Sequence, residues 1–464
     1  MTETASVFPS KQFFVDMLTR DIDLPDAIIE LLDNCVDGTL RTTKKRHAKE
    51  PYKGFWVNIE FKEGKFIISD NCGGISRERA ETGAFAMGNP DLEHDSHLPT
   101  FGMYGIGMKR AIFKIGRSAR VISQTAESAF EVTIEKDWVD NGEEWDWPLT
   151  PIDKPFTEPG TVIEIGDLHE YIQRQLFYFQ DVFINKLRDL MATHYTVIIG
   201  KGFQITLGDK PVKRQPLTVL FNSRARKQGP RIIPYIYKAE TLDLKVRLVV
   251  GLLGPTPTDD ELEEELDLPR YRGEDAGWTI ICNDHVVVSG DKTELTGWGE
   301  ICVPRYQGQF SAIFGVVEFE SLDSRKLPLT TTKRGIDPSS YIYDIAKTMM
   351  IEGTRLFTDF TNQWKNYREE EEALYEKLQP TEVGKVVAKI PESDFIEVRG
   401  HQWEKKYLPN LPKPNEKTPK RQIKFAYRQL ELWRLAEFLF EDEDTPASQV
   451  GIECFNRVLR EIKR

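Results

Sequence analysis

The chain has 464 residues, of which 40% are hydrophobic and 29% charged, with a formal net charge of −12. That length points to two to four domains with enough apolar residue for packed cores, and the acidic balance argues against a protein coated in nucleic acid over its whole surface. No apolar run approaches the ~20 residues that a bilayer-spanning helix needs, and the first ten residues lack a basic-then-apolar signal pattern, so the expectation is a cytoplasmic protein without membrane contact.

The chain opens with an arm, residues 1–16, that carries Phe8, Phe13 and Phe14. A helix is predicted around Glu30: Asp23 suits its N-cap, Pro25 its first turn and Gly38 its C-terminal stop. Ile28, Leu31, Leu32 and Cys35 recur at helical spacing as a buried stripe. Offset from them, Glu30, Asp33, Asn34 and Asp37 put three carboxylates and an amide on one face, with no Lys or Arg interleaved as a solvated face would have. Residues 56–61 and 65–70 read as strands joined by a turn at Glu63-Gly64. The second strand runs into Asp70-Asn-Cys-Gly73-Gly74, an acid at a strand end followed by a glycine pair. Such a carboxylate can accept from an exocyclic amine, and the glycines let backbone approach a flat ring.

Next comes Gly102-Met-Tyr-Gly105-Ile-Gly107-Met-Lys109-Arg110-Ala111, a glycine-rich loop leading into a helix through Ile115. Amides at a helix N-terminus suit phosphate. The glycine order matches neither the dinucleotide fingerprint nor a Walker A loop. Strands are predicted over 121–124, 130–134 and 161–165, the last opened by Gly160-Thr161. Together these elements imply an α+β sandwich with helices on one face of a sheet.

The second region, 171–367, opens with a helix through Leu187 and Leu190. Strands follow at 196–199, 204–207, 244–252, 278–281 and 312–318, then a long helix from 339 toward 376. The third region, 368–464, holds a Pro- and Lys-rich linker (409–419) and two amphipathic helices, 429–440 and 450–462. Five scattered cysteines without a CxxC pair read as reduced, mostly buried thiols rather than a zinc site. Basic clusters stand at 41–49, 224–231 and 405–428, with an acidic stretch at 259–267; local patches of this kind can grip phosphate backbones.

In order and spacing the four N-terminal motifs resemble the GHKL family of gyrase B, the heat-shock ATPase chaperones, MutL and the MORC proteins. Glu30-Leu-Leu-Asp33-Asn34-Cys-Val-Asp37 is similar to that family's N-box, Asp70 to Gly74 to its adenine motif, Gly102 to Ala111 to its phosphate motif, and Gly160-Thr161 to its final strand. The adenine motif departs by one place: Asp-x-x-Gly-Gly stands where the family has Asp-x-Gly-x-Gly.

The resemblance implies a Bergerat-type α/β sandwich ATPase domain over 1–170, then a transducer-like domain similar to ribosomal S5 domain 2 (171–367) and a linker with a helical C-terminal region (368–464). It implies ATP with Mg²⁺. Glu30 would be the general base, and Asn34 the Mg²⁺ ligand. Asp37, Asp70, Gly74, Gly102, Gly105, Gly107, Lys109 and Thr161 would contact the nucleotide, under a lid spanning 76–100 with hinges at Gly83, Gly88, Pro90 and Pro99. Residues 327–337, which include Thr330, Lys333 and Arg334, resemble the transducer loop from which a lysine reaches the nucleotide, and Lys333 is the match. Residues 278–286 resemble a MutL strand with an Asn-x-Arg turn, with His285 in place of the arginine.

The implied behaviour is an ATP-dependent homodimeric clamp acting on DNA through 224–231 and 405–428, in genome maintenance or phage defence. The alternative is a chaperone-like or regulatory ATPase with a protein client. A histidine kinase is disfavoured, because no phospho-acceptor helix precedes the pocket. No nuclease constellation stands in the last hundred residues, so any cutting would fall to a separate effector protein.

Overall fold

The computed structural model describes residues 10–43, 49–86, 88, 98, 100–101, 105–141, 145–222, 230–257, 275–330, 335–365, 367–398, 401–414 and 426–462. These form two compact units, 1–414 and 415–464.

The first unit contains two large mixed sheets. One is eight-stranded, in the order β5-β4-β3-β6-β2-β1-β7-β8: β1 (Trp56–Lys62), β2 (Lys65–Asp70), β3 (Gly116–Gln124), β4 (Ala129–Ile134), β5 (Leu149–Ile152), β6 (Gly160–Leu168), β7 (Gln204–Leu207) and β8 (Lys210–Pro211). Alternation drives it. Val57 and Ile59, Phe66 and Ile68, and Val121, Ile163 and Ile165 all point to one buried face, which is the period-2 pattern of a sheet covered on one side. The β1–β2 turn falls at Glu63 and Gly64, both at positive φ (53° and 74°), the twist-compatible hairpin geometry.

Helices cover that face: α1 (Lys11–Thr19), α2 (Leu24–Thr43), α3 (Gly107–Ile115) and α4 (Glu170–His194). Asp23 caps α2, its Oδ1 accepting from Asp26 N at 3.0 Å. The predicted stop at Gly38 does not occur; α2 runs on to Thr43. Gly38 serves close packing instead, since a Cβ there would lie 3.0 Å from Cys72 O. Helix α2 is buried almost all round: Ile28, Leu31 and Leu32, but also Ile29, Val36 and Leu40. Burying each such side chain contributes roughly 1.5–3 kcal/mol, so α2 is the central strut of the unit. The core of this sheet extends to Val212 rather than closing at residue 170, because α4 packs on it and β7 adds beside β1 in parallel. Residues 196–199, expected as a strand, form a short helix, α5 (Thr196–Gly200), set off from α4 by the non-helical Tyr195.

The remaining strands are β9 (Thr218–Phe221), β10 (Tyr235–Glu240), β11 (Leu244–Leu252), β12 (Gly277–Cys282), β13 (His285–Asp291), β14 (Ile313–Ser321), β15 (Gln379–Glu382), β16 (Ile396–Val398) and β17 (His401–Tyr407). Seven of them make the second sheet, in the order β13-β12-β14-β11-β10-β17-β16, while β9 pairs with β15. Helix α6 (Tyr341–Trp364) packs on this sheet through Tyr343, Ala346, Met350 and Phe357. The long helix expected from 339 toward 376 is interrupted: α6 ends at Trp364, and α7 (Arg368–Tyr375) follows. Because β16 and β17 complete the second sheet, that sheet draws on residues beyond 367.

The second unit holds two helices, α8 (Gln429–Phe440) and α9 (Ala447–Ile462), which pack together. Among the described residues no helix is long and apolar enough to cross a membrane. All five cysteines are free, and Cys35, Cys72 and Cys282 are buried.

Candidate nucleotide site

Asp70 ends β2 in a partly buried position. Its Oδ1 accepts from Cys72 N at 2.7 Å, and its Oδ2 takes the Cys35 thiol of α2 at 3.4 Å. Burial pushes its carboxyl up to about 6, against the lowering by the Cys72 amide, the Cys35 thiol and the Thr161 amide. Thr161, its cross-strand partner on β6, shares a 2.9 Å hydrogen bond with the Ser123 hydroxyl, which in turn accepts from Ile75 N at 2.7 Å. The glycine pair follows with φ of 97° and 71°. A Cβ on Gly73 would lie 1.9 Å from Thr42 Oγ1, and one on Gly74 2.0 Å from Gln124 O. Only glycine fits this turn, and the outcome is bare backbone beside the Asp70 carboxylate.

Glu30 lies on α2 five residues before Cys35, about 7.5 Å along the helix axis. It meets the start of α3, where a Cβ on Gly107 would approach Glu30 Oε2 to 3.3 Å. Thus α2 carries both contacts: Asp70 against Cys35, and the glycine-loop helix against Glu30. Arg110 of α3 pairs with Glu30; its Nε lies 3.2 Å from Oε2 and an Nη bonds Oε1. Gly105 takes a positive φ of 65° just before α3.

Lys109 is 1% exposed. Its ammonium donates to Ala84 O at 3.0 Å, to Ala86 O at 2.7 Å and to Gly105 O. Burial pulls its pKa down to about 8, while three carbonyl oxygens around it favour the charged form. It therefore ties the start of the lid, a π turn over Ala80–Ala84, to the glycine loop. The face read as one acidic stripe divides in two. Glu30 meets Gly107 and Asn34 is exposed, whereas Asp33 and Asp37 are buried against other partners. Asp37 Oδ1 accepts from Phe101 N at 2.8 Å. Neighbours on a helix differ by 100° in direction, which is enough to send adjacent side chains to different partners.

Gly102, Pro90, Pro99, Phe8 and the loop residues Lys333 and Arg334 lie outside the described residues, as do 224–229 and 415–425. The described part of the arm forms α1 and packs on its own chain: Lys11 is buried over Trp138, and Phe14 meets Trp145 edge-on at 5.6 Å. A separate cleft of about 880 Å³, lined by Asp23, Asp26, Lys114, Tyr171 and Lys186 among others, sits by the first turn of α2 and shares no residue with the Glu30–Asp70 set. Cys35, Ser123 and Arg110 are site neighbours that sequence reasoning did not single out. Cys35 reads only as part of an apolar stripe, and nothing in the sequence marks its thiol as a partner of Asp70.

Residues 22–161 match the family model of histidine kinase-, DNA gyrase B- and HSP90-like ATPases. The chain carries a GHKL-type ATPase domain. No curated protein matches it. The matched span runs from the residue before the cap of α2 to Thr161 on β6, and so contains Glu30, Asn34, Asp70 and the glycine loop. GHKL ATPase domains bind ATP, generally with Mg²⁺. The donor set here fits: a partly buried carboxylate acceptor beside a glycine turn for a base, and an exposed Asn34 side chain one helical turn from a carboxylate for the metal. Magnesium bound through one or two protein oxygens keeps water and phosphate oxygens as its other ligands.

Proposed function

We propose that this protein is an ATP-hydrolysing conformational switch whose GHKL domain reports nucleotide state to the rest of the chain. The observation that carries the reading is the double contact of α2, with the adenine-side carboxylate Asp70 against Cys35 and the glycine-loop helix against Glu30. Asp70 would accept the adenine amine, with Thr161 in support. Asn34 would hold Mg²⁺, which supplies charge neutralisation to the triphosphate. Glu30 would take the proton of the attacking water. Gly102, Gly105 and Gly107 would present amides to phosphate, and Lys333 would add a cation from the second domain, making turnover conditional on domain closure.

The closed form is proposed to be a homodimer acting as a clamp on DNA, with 224–231 and 405–428 as contacts and a MORC- or MutL-like role in genome maintenance or defence. Within the second patch, Lys406 is already neutralised by Glu352 at 2.6 Å, so Lys405, Arg428 and the cluster at 224–231 carry that reading. A protein client is the second reading, favoured by the exposed apolar side chains Leu430, Trp433 and Phe438 on α8 and Phe455 and Ile462 on α9. Native mass with a non-hydrolysable ATP analogue tests the clamp: doubling supports it, and unchanged mass refutes it. Turnover with and without duplex DNA separates the clients. Salt-sensitive stimulation supports DNA, and indifference supports a protein.

A further inference from the structure

The turn between β12 and β13 enters the GHKL sheet layer as a wedge. Asn283 and Asp284 occupy it at positive φ, 46° and 70°, and the Asn283 side chain is locked to Ser321 N and O at 2.9 Å each. Asp284 takes Tyr52 OH at 3.0 Å and Lys201 Nζ at 2.6 Å. The next residue, His285, is 4% exposed and reaches α2, its Nε2 lying 3.2 Å from Asp33 Oδ1. Its Nδ1 lies 3.1 Å from Asn283 O. The Asn283 carbonyl can only accept, so Nδ1 carries a proton, while Nε2 stands beside the Asp33 carboxylate without a hydrogen bond of its own. Burial lowers its pKa, but Asp33, Asp37 and the Asn283 carbonyl more than offset this, and the net direction is upward.

Phe101 lies flat on that ring, with centroids 4.2 Å apart and planes 12° apart. Stacked aromatic rings attract beyond the area they bury. Phe101 N is the amide bound by Asp37, and Ser324, which follows β14, donates to Thr100 O. The contacts close into a ring: Asp33 of the catalytic helix, His285 of the second sheet, Phe101, and Asp37 back on the catalytic helix one turn later. Tyr195 OH joins it at Asp33 Oδ1, 2.5 Å away.

We propose that His285 is a positioning residue that couples the second sheet to the nucleotide site, holding the catalytic helix through Asp33 and the adjoining Thr100-Phe101 segment through the Phe101 ring. The inference rests on the nucleotide reading of the Glu30–Asp70 site. It assigns Asp33 and Asp37 to coupling rather than to nucleotide contact. A shift of α2 or of Phe101 on nucleotide binding would pass through the stacked His285 ring into the 283–286 turn.

Hydrogen exchange on the full chain, with and without a non-hydrolysable ATP analogue and Mg²⁺, tests this. In the unmodified protein the analogue is expected to slow exchange of the 283–286 amides at least about fivefold, the lower range of coupling between sites. Removing one member of a buried polar pair strands the other, so the test variant is the double substitution Asp33→Asn with His285→Leu. That variant is expected to bind the analogue with Kd changed less than about threefold while the protection at 283–286 disappears, a loss of coupling without loss of binding. Protection that persists in the double variant overturns the proposal. If the double variant fails to fold, the unmodified protein still decides: bound analogue with no change at 283–286 refutes the coupling. Failure of the unmodified protein to bind the analogue removes the nucleotide reading itself, and the coupling with it.

Discussion

Arg110 holds Glu30 by both arms of its guanidinium, with Nε 3.2 Å from Oε2 and an Nη on Oε1, and both side chains are largely enclosed. A carboxylate clasped in this way is not free to orient a water. Lys109, one residue earlier, spends its ammonium on three carbonyls. The proposed role of Glu30 as base therefore requires Arg110 to release it, and a nucleotide phosphate is the competing partner for that guanidinium.

Arg110→Gln is expected to raise KM for ATP about tenfold or more while kcat changes less, since a hydrogen bond to a charged group contributes about 1.5–3 kcal/mol. Steady-state kinetics over a range of ATP concentrations check this; an unchanged KM would mean that Arg110 serves only to neutralise Glu30.

Asp70 gives a pH dependence with a definite sign. Its folded-state carboxyl titrates near 6, above the ordinary value of 3.8, so the native state binds that proton more tightly than the unfolded chain does. Its contribution favours the fold below about pH 4 and is lost as pH rises through 6, a burial cost on the order of 3 kcal/mol at neutral pH. Asp70→Asn is therefore expected to leave thermal stability at pH 7.5 unchanged or higher, yet to weaken ATP binding, because an amide is a poorer acceptor than a carboxylate. In the unmodified protein, ATP affinity should fall as pH drops below 6. Calorimetric titration at pH 5.5 and 7.5 measures both.

Lys109→Met keeps the stem and removes the ammonium, leaving three carbonyls without that donor. The expected result is a loss of about 1–3 kcal/mol in stability and faster proteolytic cleavage in the lid, residues 76–100. Denaturant melts and limited proteolysis check it. A variant with unchanged lid cleavage would show that Lys109 does not restrain the lid.

Much of this arrangement was legible in the sequence where one force dominated. The β1–β2 hairpin, β11 and the two C-terminal helices follow from alternation or helical spacing with turn residues between them. The Thr-Val-Ile-Ile run after Tyr195 forms a short helix with Thr196 and Ile198 buried, not the strand its β-branched side chains suggest, so tertiary packing overrides local propensity there. Gly38 looked like a helix stop but makes room for Cys72, a long-range contact that spacing alone cannot reveal. In the site, the types and order of Glu30, Asn34, Asp70 and the glycines were readable. The parting of Asp33 and Asp37 from Glu30 and Asn34 was not, because it depends on a turn some 250 residues further along the chain that inserts His285 against α2.

The central claim is that Glu30 acts as base on a nucleotide anchored at Asp70, and Glu30→Ala tests it most directly when ATP binding and turnover are measured on one preparation. A positioned general base contributes about 10²–10⁴-fold to rate, so the variant should bind ATP with Mg²⁺ as tightly as the unmodified protein while turnover falls by about 100-fold or more. Turnover within about threefold of the unmodified protein, with binding intact, would contradict the assignment.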